Sequence, residues 1–157
     1  MADFEAVDTL LMRSYPALLK HDYPPSVLVT AVPIISRAQP SLLSSGRYFV
    51  AQSEEGALVA AGGWSPRALM GGATHTALSE VRHVVTDHRL TRRGIGKTLM
   101  ATVLGDARQH GMRQILCQST YTAEPFYTAL GFCRQSLIEI ELRPGIVFPA
   151  VMMVADL

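Results

Sequence analysis

The sequence predicts an α/β fold: a mixed, mainly antiparallel sheet flanked by about four helices. Three observations carry that prediction. The apolar run at residues 81–85 reads as a strand and leads into Thr91-Arg92-Arg93-Gly94-Ile95-Gly96-Lys97-Thr98, which opens a helix whose apolar stripe is Ile95, Leu99, Val103 and Ala107. A second strand-to-helix unit follows at residues 113–130. Two further pairs of strand-like runs flank the turn signals Glu54-Glu55-Gly56 and Pro144-Gly145, so they read as hairpins, which are antiparallel.

Taken in order, the chain opens in helical period. Over residues 4–20 the apolar positions are Val7, Leu10, Leu11, Leu18 and Leu19, and Pro16 predicts a bend. Pro24-Pro25 starts a second helix over residues 26–37, interrupted at Pro33. Ser44-Ser45-Gly46 is a turn. Residues 47–52 and 57–64 form the first hairpin, and residues 66–74, with Gly71-Gly72, a loop. Residues 76–87 read as a strand. Alternation puts Glu80, Arg82 and Val84 on one of its faces and Val81, His83 and Val85 on the other. The helix over 94–110 stops at Gly111. After the strand at 113–118, Ser119 and Thr120 are candidate N-caps, Pro125 suits a first helical turn and Gly131 ends the short helix at 121–130. Residues 132–142 and 147–155 close the sheet.

Bulk properties exclude several classes. The chain of 157 residues reads as one domain over 1–157, with 48% apolar residues to build a core. A formal charge of +1 gives no nucleic-acid footprint. No apolar run approaches the roughly 18 residues of a membrane span. Met1-Ala2-Asp3-Phe4-Glu5 lacks the basic and apolar regions of a signal peptide, so a cytoplasmic location is expected. Cys117 and Cys133 read as buried thiols, not as a disulfide framework. The histidines, at 21, 75, 83, 88 and 110, show no zinc spacing, so no metal is expected.

The Gly-rich turn is an anion site by composition. Glycines let a ligand approach the backbone, and a helix start supplies free N–H groups and partial positive charge. A Walker A loop needs glycine at position 91 and finds Thr91; the dinucleotide fingerprint needs glycine or alanine at position 99 and finds Leu99. Gly94 and Gly96 instead fit Gln/Arg-x-x-Gly-x-Gly/Ala, the pyrophosphate loop of the GNAT acyltransferases, with Thr91 in place of the first residue. The other reading is that the glycines simply let helix pack on strand.

A second segment strengthens the resemblance. Ala123-Glu124-Pro125-Phe126-Tyr127, continuing to Leu130-Gly131-Phe132, resembles the GNAT signature Ala-x-x-Phe-Tyr-x-x-Leu/His-Gly-Phe. With Ala60-Ala61-Gly62-Gly63-Trp64-Ser65 and Glu80-Val81-Arg82, the resemblance covers roughly residues 45–155 and points to an uncharacterised-type subgroup of the family. Two departures stand out. Thr86-Asp87-His88 replaces the subgroup's Val-His-Pro, and the chain begins directly in a helical pattern, without the family's usual first strand.

The resemblance implies transfer of an acetyl group from acetyl-CoA to an amine by direct attack in a ternary complex. Tyr127 would be the general acid that protonates the coenzyme A thiolate; the alternative is a core tyrosine beside Phe126. Glu80, on the strand entering the anion turn, would be the base; the alternatives are a surface glutamate or an ion pair with Arg82. His83 is the second candidate base, because histidine titrates near neutral pH. Backbone N–H groups from Arg93 through Gly94, Ile95, Gly96 and Lys97 to Thr98 would hold the pyrophosphate, with charge from Arg92, Arg93 and Lys97. Val84, Val85 and Thr86 would offer backbone groups to the pantetheine arm, with Phe126 beside the cofactor. Glu124 caps its helix start, and Trp64 is core. The acceptor, a small-molecule or protein amine, would meet the N-terminal helices, the 66–74 loop and the last hairpin. A homodimer is compatible with this reading. Two other functions fit the same turn: a non-catalytic acyl-CoA sensor and a P-loop nucleotide binder.

Overall fold

A computed structural model describes residues 2–67 and 77–157. Its centre is a six-stranded sheet in the order β1-β2-β3-β4-β6-β5. The strands are β1 (Tyr48–Gln52), β2 (Leu58–Pro66), β3 (Leu78–Thr86), β4 (Gln114–Ser119), β5 (Cys133–Arg143) and β6 (Ile146–Asp156). Every neighbouring pair is antiparallel except β3–β4, which is parallel. The helices are α1 (Ala2–Leu19), α2 (Pro25–Thr30), α3 (Val32–Ile35), α4 (Pro40–Leu43), α5 (Ile95–Gln109) and α6 (Glu124–Ala129).

The helix count exceeds the expected four because prolines divide the N-terminal region. The segment expected as one helix over 26–37 splits into α2 and α3 at Ala31, with Pro33 in the first turn of α3. A proline lacks the N–H that would continue the ladder and suits only a helix start. Pro40 likewise opens α4, a single turn that the apolar periodicity does not reveal. Pro16 has the opposite outcome. It lies inside α1, which continues through it. Val7, Leu10 and Leu11 before the proline and Leu19 after it are all buried, so packing on both sides holds the helix together.

The two faces of the sheet carry different layers. Leu99, Met100 and Val103 of α5 pack with Trp64, Ile115 and Met153 of the sheet; Val7, Leu10 and Leu11 of α1 pack on Ala61 and Val85. Trp64 is core, as expected, and its indole N–H donates to Asp106 Oδ2 at 2.7 Å. Cys117 is buried, but Cys133 is exposed, because it begins β5, an edge strand with an outward-facing start. The start of α6 also differs. Its N-cap is Ala123, not Ser119 or Thr120, although Thr120 Oγ1 accepts the Ala123 N–H at 3.1 Å and so closes the preceding turn. Most of the expected 66–74 loop, and the expected strand start at 76, lie outside the described residues. Among the described residues no helix is long and apolar enough to cross a membrane.

Candidate active site

The site exists because β3 and β4 pair only briefly. Their parallel ladder comprises Leu78↔Gln114, Ser79↔Ile115 and Glu80↔Leu116, and then ends. Past Glu80, β3 bends away. The β2–β3 register steps from Gly63↔Arg82 to Ala61↔Val85, so β3 carries one residue more than β2 across the step. Such a bulge kinks a strand and increases its twist. His83 sits in it with φ 47°, in the left-handed region that side chains rarely adopt. Distant side chains hold the bulge: the Tyr48 hydroxyl donates to the His83 carbonyl at 2.9 Å and the Tyr15 hydroxyl to the Val84 carbonyl at 2.8 Å. Gly62 opposite leaves room, since a Cβ there would lie 2.7 Å from Val84 Cγ2.

The bulge overturns the expected alternation. Val84 packs with Val81 against the α5 core and does not share a face with Glu80 and Arg82, while Val85 packs under α1. An extra residue shifts every later side chain of a strand by one face.

The divergence opens a cleft of about 1140 Å³. At one end it is lined by the anion turn. Gly94 is the N-cap of α5 in left-handed conformation, φ 78°, and Arg92 before it has φ 63°. No side chain caps α5, so its first N–H groups remain available for an anion. The first residues to bond back are at Thr98, whose N–H and hydroxyl both donate to the Gly94 carbonyl at 3.0 Å.

The two glycines do different work. A Cβ on Gly94 would meet nothing within 4 Å. A Cβ on Gly96 would lie 3.1 Å from Thr86 Oγ1 and 3.3 Å from Phe126. The reading of the glycines as packing residues therefore describes Gly96, whereas Gly94 serves the turn itself. Of the residues expected to hold the cofactor, Arg92, Gly94, Ile95, Gly96, Lys97, Val84, Val85, Thr86 and Phe126 line the cleft; Arg93 and Thr98 do not. Arg92, Arg93 and Lys97 form no ion pair among the described residues.

Asp87, within the Thr86-Asp87-His88 departure, anchors the turn over residues 87–90 that precedes the Gly-rich one, and was not singled out from the sequence. It is 1% exposed. Its carboxylate accepts the Arg89 backbone N–H at 3.0 Å, Arg89 Nε and Nη2 at 3.1 and 2.9 Å, and Arg13 Nη2 of α1 at 2.8 Å. The hydrogen bonds from Arg89 hold its carboxyl well below the usual carboxylate range, outweighing burial, and Arg13 adds to them. Asp-x-Arg is a local turn signal, but Arg13 is 74 residues away, beyond any local reading. Asp87→Ala is expected to cost about 1–3 kcal/mol of stability, less than a fully buried pair because both arginines are exposed. Because the folded-state value is depressed, this contribution is present above the unfolded carboxyl pKa of about 3.9 and fades as pH falls below it. Urea melts at pH 7 and near pH 3 should therefore show a larger gap between wild type and variant at pH 7. An equal gap at both would separate Asp87 from acid stability.

Tyr127, Cys117, Glu80 and His83 also line the cleft. Tyr127 is 5% exposed and makes edge-to-face contacts with Phe126 and Phe132 at centroid distances of 5.1 and 5.3 Å. Burial above all, with the Cys117 thiol adding to it, pushes the Tyr127 hydroxyl well above an ordinary phenol, so it stays protonated. Burial likewise pushes the Cys117 thiol up to about 12, which makes it inert as a nucleophile. Glu80 stands half-buried where the β3–β4 ladder ends. The ion pair with Arg82 that sequence neighbourhood suggested does not form. Arg82 instead donates to Gln39 Oε1 at 2.8 Å and Ser65 Oγ at 3.3 Å. His83 is pushed down to about 4, by burial first and the Arg82 charge second. It is neutral at pH 7 and a weak base, which leaves Glu80 the better placed of the two. Glu124 pairs bidentately with Arg134 of β5, at 2.6 and 2.9 Å, and so links α6 to the sheet edge.

An apolar wall of the cleft is built from Leu18, Ile34, Ile35, Ile140, Leu142 and Phe148. Tyr23 ties this wall together. It stacks on Phe148 at 4.8 Å and Tyr121 at 5.1 Å, donates to the Pro149 carbonyl at 2.8 Å and accepts the Tyr121 N–H at 2.9 Å.

Comparison with known proteins gives three kinds of result. The acetyltransferase (GNAT) domain family matches residues 22–148. No curated protein matches the chain. Among solved structures, a GCN5-related N-acetyltransferase from Rhodopseudomonas palustris is similar at TM-score 0.75 and 16% identity, over 99% of this chain and 91% of that one. The PaiA N-acetyltransferase from Thermoplasma acidophilum, in complex with coenzyme A, is similar at TM-score 0.71 and 14% identity, over 99% and 94%. A phosphinothricin acetyltransferase from Sinorhizobium meliloti, in complex with AcCoA, is similar at 0.60 and 24%, over 74% of this chain and 65% of that one, so less than two thirds of its length is matched. At these identities the likeness is one of fold.

Proposed function

The chain belongs to the GNAT acetyltransferase family, and on that premise we propose that it transfers an acetyl group from acetyl-CoA to an amine within a ternary complex. The observation that carries this reading is one cleft lined by an uncapped, glycine-built helix start, by Glu80 where β3 parts from β4, and by Tyr127 of α6. The open space above Gly94 suits a pyrophosphate, and the exposed Arg92 and Lys97 supply countercharge. Acetyl-CoA, when bound, supplies the activated acyl thioester.

The protein's own groups do the rest. Holding amine and thioester together replaces a bimolecular encounter, an effect that can reach effective molarities on the order of 10⁵ M. Glu80 takes a proton from the amine, directly or through a water. Tyr127 donates to the sulfur as it leaves. Burial makes this phenol a weaker acid than a free one. Its hydrogen bond to the developing thiolate therefore matters at least as much as full proton transfer.

The test is titration calorimetry with coenzyme A together with free-thiol release from acetyl-CoA over an amine panel. Binding without turnover on any amine would mark an acyl-CoA sensor, and tighter binding of ATP than of coenzyme A would mark a nucleotide loop. Glu80→Gln is expected to slow turnover mainly at low pH, where more of the amine arrives protonated. Overlaying pH–rate profiles for wild type and variant would show Glu80 to be structural.

A further inference from the structure

Glu80 and Arg82 leave β3 two residues apart, just before the bulge, so both side chains lie on one face and both line the cleft. Arg82 is partly withdrawn from water. It is held by neutral oxygens only, those of Gln39 and Ser65. No carboxylate pairs with it among the described residues, and residues 68–76 contain no aspartate or glutamate. A guanidinium carries five N–H donors, so two hydrogen bonds leave donors to spare. The same cleft is lined by apolar side chains, among them Ile34, Ile35, Leu142 and Phe148.

Resting on the acyltransferase reading of the same cleft, we propose that the acceptor is a free amino acid with an apolar side chain. Its amine faces Glu80, its carboxylate takes the spare donors of Arg82, and its side chain lies on the apolar wall. The cation without a counter-ion is the observation that selects this class. A carboxylate there forms charge-assisted, bidentate hydrogen bonds that no neutral amine can make. A polyamine or a lysine-rich segment would bring further positive charge against Arg82, and like charge at close quarters works against binding. In the transfer, the amine nitrogen bonds to the acetyl carbonyl carbon as the carbon–sulfur bond breaks. An ammonium and a thioester become an amide, a thiol and one proton released to solvent through Glu80.

L-leucine, L-phenylalanine, L-leucinamide, isopentylamine and spermidine form the test set, with titration calorimetry in the presence of coenzyme A and thiol release from acetyl-CoA. L-leucine or L-phenylalanine is expected to exceed leucinamide and isopentylamine by about tenfold to a hundredfold in affinity and kcat/KM, the range of a charged hydrogen-bond pair. Arg82→Met should bring leucine down to leucinamide, with coenzyme A affinity unchanged, and Arg82→Lys should restore part of the preference. Equal or better use of isopentylamine, leucinamide or spermidine by the wild type would overturn the proposal. So would the lack of binding of any apolar amino acid beside coenzyme A. The acyltransferase reading fails on a different result, coenzyme A that does not bind or thiol release that no amine elicits.

Discussion

Tyr127→Phe is expected to slow the chemical step by about 10²–10⁴-fold, the usual contribution of a general acid, while leaving coenzyme A affinity unchanged. The substitution removes one oxygen. The edge-to-face contacts with Phe126 and Phe132 belong to the ring and persist. What disappears is the protonated hydroxyl of a residue that lines the cleft between the separated strands. The stability cost should stay near 1 kcal/mol, the net value of an ordinary hydrogen bond. The anion turn is untouched, so binding and chemistry separate cleanly. Single-turnover kinetics with a competent acceptor measures the effect. A loss under about threefold, against the range expected of a general acid, would make Tyr127 a packing residue and leave positioning as the source of rate.

Gly94→Glu is expected to abolish coenzyme A binding with the fold intact. The new Cβ meets no protein atom within 4 Å, so the side chain enters open space where the ligand's anion is expected. The left-handed φ of 78° adds strain of about 1–2 kcal/mol. A carboxylate at an uncapped helix start recovers part of it, about 0.3–1 kcal/mol. The ligand meets both bulk and like charge. Gly94→Ala carries the strain without the charge and should weaken binding far less. Titration calorimetry on the three proteins decides the matter, and equal affinity in Gly94→Glu would remove the turn from the site. Gly96 makes a poor substitute for this test, since a side chain there presses on Thr86 and Phe126 and so disturbs the protein itself.

Much of this arrangement was legible in the linear order of residues. The hairpins, the α5 stripe, the anion turn and the short helix bearing Tyr127 are local features, encoded by apolar period and by turn residues within a few positions of each other. Their local encoding is why they match the expected elements to within a few residues. The site's shape is of another kind. The run through His83 and Val84 reads as one continuous strand, yet β3 bulges there because hydroxyls 35 and 69 residues away hold two of its carbonyls, and because Gly62 leaves room opposite. Glu80 and Arg82 look like a pair in sequence, but Gln39, brought in by the turn between α3 and α4, takes the arginine and leaves the glutamate free. Asp87 reads as one charge in a turn until α1 delivers Arg13 to it. Sequence by itself determined most of the strands, the longer helices and the glycine-built start of α5, because those depend on neighbours along the backbone. Only the tertiary structure decided where the sheet opens, which face each side chain of β3 takes and which charges remain unpaired, because those depend on groups that meet only when the chain is folded.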